Sequence, residues 1–194
     1  MPELCLIRHG ETAWSRSGQH TGRTDIGLTP VGERQAALLG RRLAGRKFAL
    51  VLTSPLARAR ETCRLAGCGE VAVPEPDLLE WDYGGYEGRT TAQIREQEPG
   101  WTIWGGAALA RESADQVGAR CDRVIARCES VSGDVALFAH GHVLRILAAR
   151  WLRLAPVAGR YFALDPASLS VLGREHEQRV LRCWNDRSHL LEQP

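Results

Sequence analysis

Residues 4–10 read LCLIRHG, and this change from four apolar residues to charged and polar ones decides the fold class. A short continuous apolar run is typical of a strand that is buried on both faces of a parallel sheet. The stretch therefore predicts a strand over residues 4–7 that delivers Arg8, His9 and Gly10 at its carboxyl end.

The same transition from apolar to polar residues occurs twice more. Ala49–Thr53 is followed by Ser54-Pro55, and Val135–Ala139 is followed by His140-Gly141-His142. Strands alternate with helices at the start of the chain and again after Asp134, which is typical of a parallel sheet covered on both faces. We expect an α/β fold: a single-domain three-layer α/β/α sandwich with a mainly parallel central sheet.

Capping signals mark where the helices between these strands begin. Thr29-Pro30 and Ser54-Pro55 each combine an N-cap residue with proline at the first helical position, and residues 113–116 form a capping box. The signals predict helices from Thr29 to near Gly45, from about Leu56 to Leu65, over 90–97, from Ser113 to about Ser130, and from after His142 through Trp151. Further predictions are a short strand at 70–73, a flap at 101–111, and closing strands at 169–173 and 180–184.

Composition limits the domain count and the class of partner. A hydrophobic content of 44% in 194 residues suffices for one core, so we expect a single domain over residues 1–194. A net charge of +2 does not indicate a nucleic-acid-binding protein. Neither a signal peptide nor an apolar run near the ~20 residues of a membrane span is recognisable, which predicts a soluble cytoplasmic protein. A homo-oligomer is compatible with the sequence.

Three residues far apart in sequence are expected to meet in one pocket. His9, Arg58 and His140 each follow a predicted strand, and open α/β sheets bind ligands at the carboxyl ends of their strands. Arg8 and Arg58 supply planar guanidinium groups that suit a tetrahedral oxyanion such as phosphate. The expected ligand is a small phosphorylated metabolite.

The two histidines require different roles in phosphoryl transfer. In-line displacement at phosphorus needs one nucleophile with a lone pair, while the remaining donors stabilise the equatorial oxygens. Neighbouring arginines disfavour the imidazolium form of His9, which makes it the nucleophile candidate and leaves His140 to donate to a phosphoryl oxygen. No step requires a metal ion or a cofactor.

A carboxyl group is also needed to protonate the leaving group. Glu80 stands at the start of a glycine-rich aromatic segment and is the candidate general acid. Glu11, Asp82 and Glu87 lie in neighbouring polar loops and are alternative acids.

Five motifs resemble those of the histidine phosphatase superfamily, whose members include phosphoglycerate mutases and many small-molecule phosphatases. They occur in the expected order and together cover most of the chain: Arg8-His9-Gly10-Glu11-Thr12, Gly27-Leu28-Thr29-Pro30-Val31-Gly32, Ser54-Pro55-Leu56-Ala57-Arg58-Ala59, Leu79-Glu80 through Glu87-Gly88, and Ala139-His140-Gly141-His142.

The resemblance implies a phosphoglycerate mutase-like fold and the roles just derived for the catalytic residues His9, Glu80, Arg8, Arg58 and His140. It also implies a substrate-binding set: Ser15, Thr21, Gly22, Tyr83 and Gly141.

Two departures from the family pattern bear on substrate choice. Many members carry asparagine where this chain has Ser15, and relatives commonly have glycine at the position of Arg111. The variant around Ser15, together with the segments near Glu80 and Trp101, resembles the branch that contains sedoheptulose bisphosphatase and related acid phosphatases. A sugar phosphate substrate is the resulting expectation.

Three other functions remain as alternatives. A cofactor-dependent phosphoglycerate mutase would use the same histidine, but the chain is short between Gly88 and Ser113 for the extra segments that enclose the site in mutases. A metalloenzyme would use His9, His140 and His142, whereas paired arginines would repel a divalent cation. A regulatory protein would bind a phosphorylated ligand without turning it over.

Overall fold

The computed structural model describes residues 3–105 and 108–191. All of its strands belong to one sheet with the order β3-β2-β4-β1-β5-β6. The strands are β1 (Leu4–Arg8), β2 (Phe48–Thr53), β3 (Ala72–Pro74), β4 (Asp134–Ala139), β5 (Leu169–Glu175) and β6 (Gln178–Asp186). The helices are α1 (Ala13–Ser17), α2 (Pro30–Leu43), α3 (Ala57–Leu65), α4 (Thr91–Arg95), α5 (Ala114–Glu129) and α6 (Gly141–Trp151).

The sheet is mainly parallel, as the sequence predicts. Strands β3, β2, β4 and β1 are parallel neighbours, and β1 occupies an interior position between β4 and β5. Only β5 runs against the others, because it is antiparallel to both β1 and β6.

Side chains of β1 alternate between the two apolar layers of the sandwich. Leu4 and Leu6 pack in a core that contains residues of α5 and α6, whereas Cys5 and Ile7 pack with residues of α2 and α3. All four are buried, which is why the strand lacks the alternation of apolar and polar residues seen in half-exposed strands. The three-layer α/β/α prediction is confirmed.

Two of the three capping predictions are confirmed. The Thr29 hydroxyl accepts the Gly32 N–H at the start of α2, and Ser113 and Gln116 form a reciprocal capping box on α5. The prediction for Ser54 is wrong, because α3 begins after Leu56 without a side-chain cap. The buried Ser54 hydroxyl lies 2.7 Å from His140 Nε2 and accepts the N–H of Leu56 at 3.4 Å, one residue before the helix begins, so its shorter contact is with a residue distant in sequence.

Other predicted elements differ at their boundaries. The strand expected at 70–73 begins only at Ala72, because a 3-10 turn precedes it and β3 pairs with β2 over residues 72–74. The helix expected at 90–97 is the shorter α4, capped by Thr90. Within the predicted flap, Trp101 and Ile103 are buried, and residues 106–107 lie outside the described residues. Across the ranges that are described, no helix is long and apolar enough to cross a membrane.

Candidate active site

The carboxyl ends of β1, β2 and β4 bring the predicted catalytic residues together. His9 follows β1 and His140 follows β4, and the His9 N–H donates to the Ala139 carbonyl at 3.0 Å. Their imidazole centroids are 5.2 Å apart. Arg58 stands in the first turn of α3, and its Nε lies 3.1 Å from His140 Nδ1. The expected convergence of three chain segments is therefore present.

The neighbours of the two histidines fix opposite tautomers. His9 Nδ1 lies 2.7 Å from the Gly10 carbonyl oxygen, which can only accept, so Nδ1 carries the proton and Nε2 keeps a lone pair. His140 Nδ1 faces the Arg58 guanidinium, which can only donate, so the proton of neutral His140 is on Nε2. One histidine thus offers a lone pair at Nε2, and the other offers a proton.

Both imidazoles are held in the neutral form. Burial is the main cause that places the pKa of His9 well below its usual value, and the positive charges of Arg58 and Arg8 lower it further. The pKa of His140 is also well lowered, first by burial and then by Arg58. The sequence correctly indicates the effect of the arginines, but burial is the larger cause.

Arg8 retains donors for a ligand. One terminal nitrogen donates to the Leu164 carbonyl, while Nε is buried without a partner among the residues that the structure describes. The guanidinium lies beside the start of α6, where an added Cβ at Gly141 would be in ordinary van der Waals contact with it at 3.5 Å. A buried, unpaired guanidinium nitrogen is costly unless an anion completes its hydrogen bonding.

Arg58 donates most of its hydrogen bonds to other groups of the protein. Besides its contact with His140, its terminal nitrogens donate to the carbonyl oxygens of Thr24 at 3.0 Å, Thr21 at 3.3 Å and Gly22 at 2.9 Å. The residue is fully buried. Arg58 therefore orients His140 and anchors the loop around Gly22 as well as contributing positive charge.

The Glu80 carboxylate is held at the amino end of α6. Oε1 accepts the N–H groups of Trp81 and Val143, and Oε2 accepts the N–H of His142, each at 2.9 Å. The N–H groups of His142 and Val143 are free donors in the first turn of the helix, where the helix dipole also favours negative charge. Oε2 accepts one recorded bond and keeps a lone pair for other partners.

A pocket of about 170 Å³ opens beside these residues. Its lining includes Arg8, His9 and Glu80 but neither Arg58 nor His140, which are both fully buried. Four of the predicted substrate-binding residues also line it; Gly22 does not, and its carbonyl contacts Arg58 instead. The full lining comprises Arg8, His9, Ser15, Gly18, Gln19, His20, Thr21, Glu80, Tyr83, Gly141, His142, Arg145 and Leu164.

The alternative acids have other partners. Glu11 accepts the Thr29 hydroxyl at 2.7 Å, and Asp82 accepts the Gly84 N–H at 3.0 Å. Glu87 accepts the N–H groups of Arg23 and Thr24 and so holds their loop. Of the four carboxylates weighed from the sequence, Glu80 is the one that lines the pocket.

Arg145 is a pocket residue that the sequence reasoning missed. Its Nε donates to the Gly159 carbonyl at 3.1 Å, and its guanidinium lies 4.9 Å from the centroid of the Trp104 ring. Arg145 follows His142 by three residues on α6, and this spacing places both on one helix face, so it was a usable signal. Leu164 arrives from a distant loop and carried no such signal.

Comparison with known proteins places this geometry in a family. The model of the histidine phosphatase superfamily (branch 1) matches residues 4–187. An acid phosphatase from Mycobacterium tuberculosis is 44% identical over 184 residues, covering 92% of this chain and 89% of that protein. Sedoheptulose 1,7-bisphosphatase from Saccharomyces cerevisiae is 36% identical over 185 residues, covering 79% of this chain and 68% of that protein.

The fold comparison agrees with the sequence comparison. A solved structure of a Mycobacterium tuberculosis protein superposes with a TM-score of 0.88 at 41% identity, covering 95% of this chain and 97% of that one. The family match spans nearly the whole chain and includes every strand of the sheet. The chain therefore belongs to the histidine phosphatase superfamily, branch 1, and is a phosphatase of that family.

Proposed function

We propose that this chain, acting as one domain over residues 1–194, is a metal-independent phosphomonoesterase that hydrolyses small phosphorylated metabolites, sugar phosphates in particular. The reaction proceeds through a phosphohistidine on His9. The observation that carries the proposal is the pair of opposite histidine tautomers beside the unpaired Nε of Arg8.

The first half of the reaction transfers the phosphoryl group to His9. Its Nε2 lone pair forms the new P–N bond while the bond from phosphorus to the leaving oxygen breaks. The Nδ1–H of His9 keeps donating to the Gly10 carbonyl oxygen, and this hydrogen bond stabilises the positive charge that the ring acquires. The leaving oxygen takes a proton from Glu80.

The equatorial oxygens receive the negative charge of the transition state. Arg8 supplies its free guanidinium hydrogens and His140 supplies the proton on Nε2. In the structure that proton is donated to the Ser54 hydroxyl, 2.7 Å from Nε2, so a phosphoryl oxygen has to compete with Ser54 for it. Arg58 fixes the tautomer of His140 from behind.

The second half regenerates the enzyme. Glu80, now a carboxylate, takes a proton from a water molecule that attacks phosphorus, and the P–N bond breaks to release inorganic phosphate and neutral His9. Three backbone N–H groups orient this carboxylate throughout, which leaves an Oε2 lone pair for the transferred proton.

The proposed substrate class rests on the size and lining of the pocket. A volume of about 170 Å³ is smaller than the roughly 300–1,000 Å³ of drug-sized ligand pockets, which favours a compact ester over a phosphoprotein. The hydroxyl groups of Ser15 and Thr21 and the amide of Gln19 lie in the lining; each donates to a backbone carbonyl, so a polyol would meet their remaining hydrogen-bonding capacity. Similarity to a sedoheptulose 1,7-bisphosphatase supports a sugar phosphate.

The proposal is tested by phosphate release in the presence of EDTA from an aryl phosphate, a panel of sugar phosphates and the phosphoglycerates. His9→Ala should abolish release. His189→Ala is the matched control, because this buried imidazole lies outside the pocket and contacts the Ala167 carbonyl. The folded fraction of the control should retain turnover.

The same assay separates the rival functions. With a substrate labelled in its phosphoryl group, the wild-type protein should acquire an acid-labile label, as a phosphohistidine requires, and His9→Ala should not. Transfer between phosphoglycerates without net release would favour a mutase, and binding without either reaction would favour a regulatory protein. Turnover by folded His9→Ala would overturn the mechanism.

A further inference from the structure

Three side chains, each in hydrogen-bond contact with the next, lie along one wall of the pocket. The hydroxyl of Tyr83 lies 2.6 Å from His142 Nδ1, and His142 Nε2 lies 3.4 Å from a terminal nitrogen of Arg145. All three residues line the pocket together with Arg8 and His9. Among the described residues, the side chains of His9 and Glu80 make no hydrogen bond to these three side chains, so the role of the three is a separate question.

Arg145 determines which nitrogen of His142 carries a proton. A guanidinium can only donate, so Nε2 is the acceptor and the proton of neutral His142 is on Nδ1. Arg145 is held in this orientation by the carbonyl oxygens of Gly159 at 3.1 Å and Arg160 at 3.2 Å. The opposite tautomer would direct Nε2–H at another donor.

The tautomer of His142 in turn sets the direction of the Tyr83 hydroxyl. Nδ1–H donates to the phenolic oxygen, so the proton of Tyr83 must point elsewhere. Within residues 3–105 and 108–191, no second partner for that hydroxyl is recorded. Tyr83 is buried, and the open direction beside it is the pocket.

We propose that Arg145 and His142 turn the hydroxyl proton of Tyr83 into the pocket, making Tyr83 a hydrogen-bond donor to a bound phosphate group. His142 is then a positioning residue that does not touch substrate. The claim that Tyr83 assists hydrolysis rests on the proposed function, whereas the claim that His142 carries its proton on Nδ1 does not.

The surroundings keep both partners in the required protonation state. The pKa of His142 is well below its usual value, first because the ring is buried and then because the guanidiniums of Arg145 and Arg8 add positive charge. Burial and the Glu80 carboxylate raise the pKa of Tyr83 well above its usual value, so the phenol keeps its proton.

Aromatic rings restrict how the His142 imidazole can rotate. Trp104 lies 5.2 Å from its centroid in a tilted arrangement, and Trp81 approaches edge-on at 6.1 Å. A ring flip would therefore have to displace packed neighbours, which favours a single orientation.

The tautomer can be measured without any turnover. In the full-length protein, the chemical shifts of the two ring nitrogens of His142 should report a proton on Nδ1. In Arg145→Met, which lacks the donor, part of the population should move its proton to Nε2. A proton on Nε2 of the wild type would overturn the inference.

The role of Tyr83 is tested by a double-mutant cycle. Asparagine at position 142 keeps an N–H that can donate to Tyr83, whereas aspartate can only accept and would capture the phenolic proton. Tyr83→Phe and His142→Asp should each weaken inorganic phosphate binding and lower kcat/KM by about ten- to hundredfold, the size expected for one hydrogen bond to a charged group. His142→Asn should stay near wild type.

The cycle separates proton capture from simple charge repulsion. In the Tyr83→Phe background, the difference between His142→Asn and His142→Asp should shrink by about tenfold, because no hydroxyl proton remains to be redirected. An equal difference in both backgrounds would mean that the added carboxylate acts by charge alone and would overturn the role of His142. If the wild type binds phosphate but hydrolyses nothing, the proposed function fails, and the binding data still decide this inference.

Discussion

Replacing Glu80 by glutamine separates the structural role of this side chain from its proposed chemical role. The carboxylate accepts three backbone N–H groups, two at Oε1 and one at Oε2. The glutamine carbonyl can replace only one oxygen. With that carbonyl at the position of Oε1, the amide nitrogen would face the His142 N–H, so an accepting site becomes a donor against a donor.

The cost follows from the bonds that are lost. One hydrogen bond to a charged group contributes about 1.5–3 kcal/mol, and a buried donor left without a partner adds to the loss. We therefore expect Glu80→Gln to lower the free energy of unfolding by about 2–3 kcal/mol. For a chain of this size, the change corresponds to a fall in Tm of roughly 4–12 °C.

Activity should fall in a way that depends on the leaving group. Removing a general acid costs about 10²–10⁴-fold when the departing oxygen needs a proton, so hydrolysis of alkyl phosphates such as glucose 6-phosphate should collapse. An activated aryl phosphate leaves as a stable anion and should lose far less of its rate of phosphohistidine formation. Burst-phase measurements with both substrates, below the Tm of the variant, provide the comparison.

Glu87→Gln is the matched control. Glu87 also accepts two backbone N–H groups, from Arg23 and Thr24, but it lies outside the pocket lining. Glu87→Gln should lower the free energy of unfolding, and any loss of activity should be the same for both leaving groups. Equal losses of Glu80→Gln on both substrates would refute the reasoning and return Glu11 and Asp82 to consideration.

Three further predictions concern stability. Lowering the pH from about 8 to about 5 should destabilise the ligand-free protein, because the pKa values of His9, His140 and His142 are held well below 6.5 in the fold. Below pH 6.5 the unfolded chain binds more protons than the folded one, so each histidine contributes a loss of up to about 1.4 kcal/mol per pH unit, measurable by urea unfolding. Phosphate at 100 times its Kd should stabilise the wild type by about 2.7 kcal/mol in the same assay, and the absence of any shift would argue against an anion site. Gly22→Ala should cost about 1–3 kcal/mol, because its new Cβ would lie 2.6 Å from the Trp81 carbonyl oxygen; an unchanged Tm would contradict that contact.

The sequence was sufficient wherever one local pattern determined the structure. The apolar run before Arg8 predicted β1, because burial on both faces requires apolar residues at consecutive positions. The caps at Thr29 and Ser113 were predictable because each hydroxyl bonds a backbone N–H three residues away. Convergence of His9 and His140 followed from the direction of parallel strands.

It was insufficient wherever the partner is distant in sequence. Ser54 is a residue type that often caps helices, but its hydroxyl is hydrogen-bonded to His140, 86 positions later. Four carboxylates were possible acids, and only the position of α6 identifies Glu80 as the one at the pocket. Arg145 looks like an ordinary helix arginine until the carbonyl of Gly159 fixes its orientation.

His9, His140 and His142 show why such distant partners decide chemistry. A neutral imidazole can donate or accept at either nitrogen, so the residue type alone does not specify its role. The Gly10 carbonyl can only accept, and the guanidiniums of Arg58 and Arg145 can only donate. Each neighbour thereby excludes one of the two neutral tautomers. His9 is left with a lone pair at Nε2 and His140 with a proton at Nε2, while the Nδ1 proton of His142 directs the phenolic proton of Tyr83. Burial that lowers their pKa values is part of the same design, since protonation would erase the distinction among them.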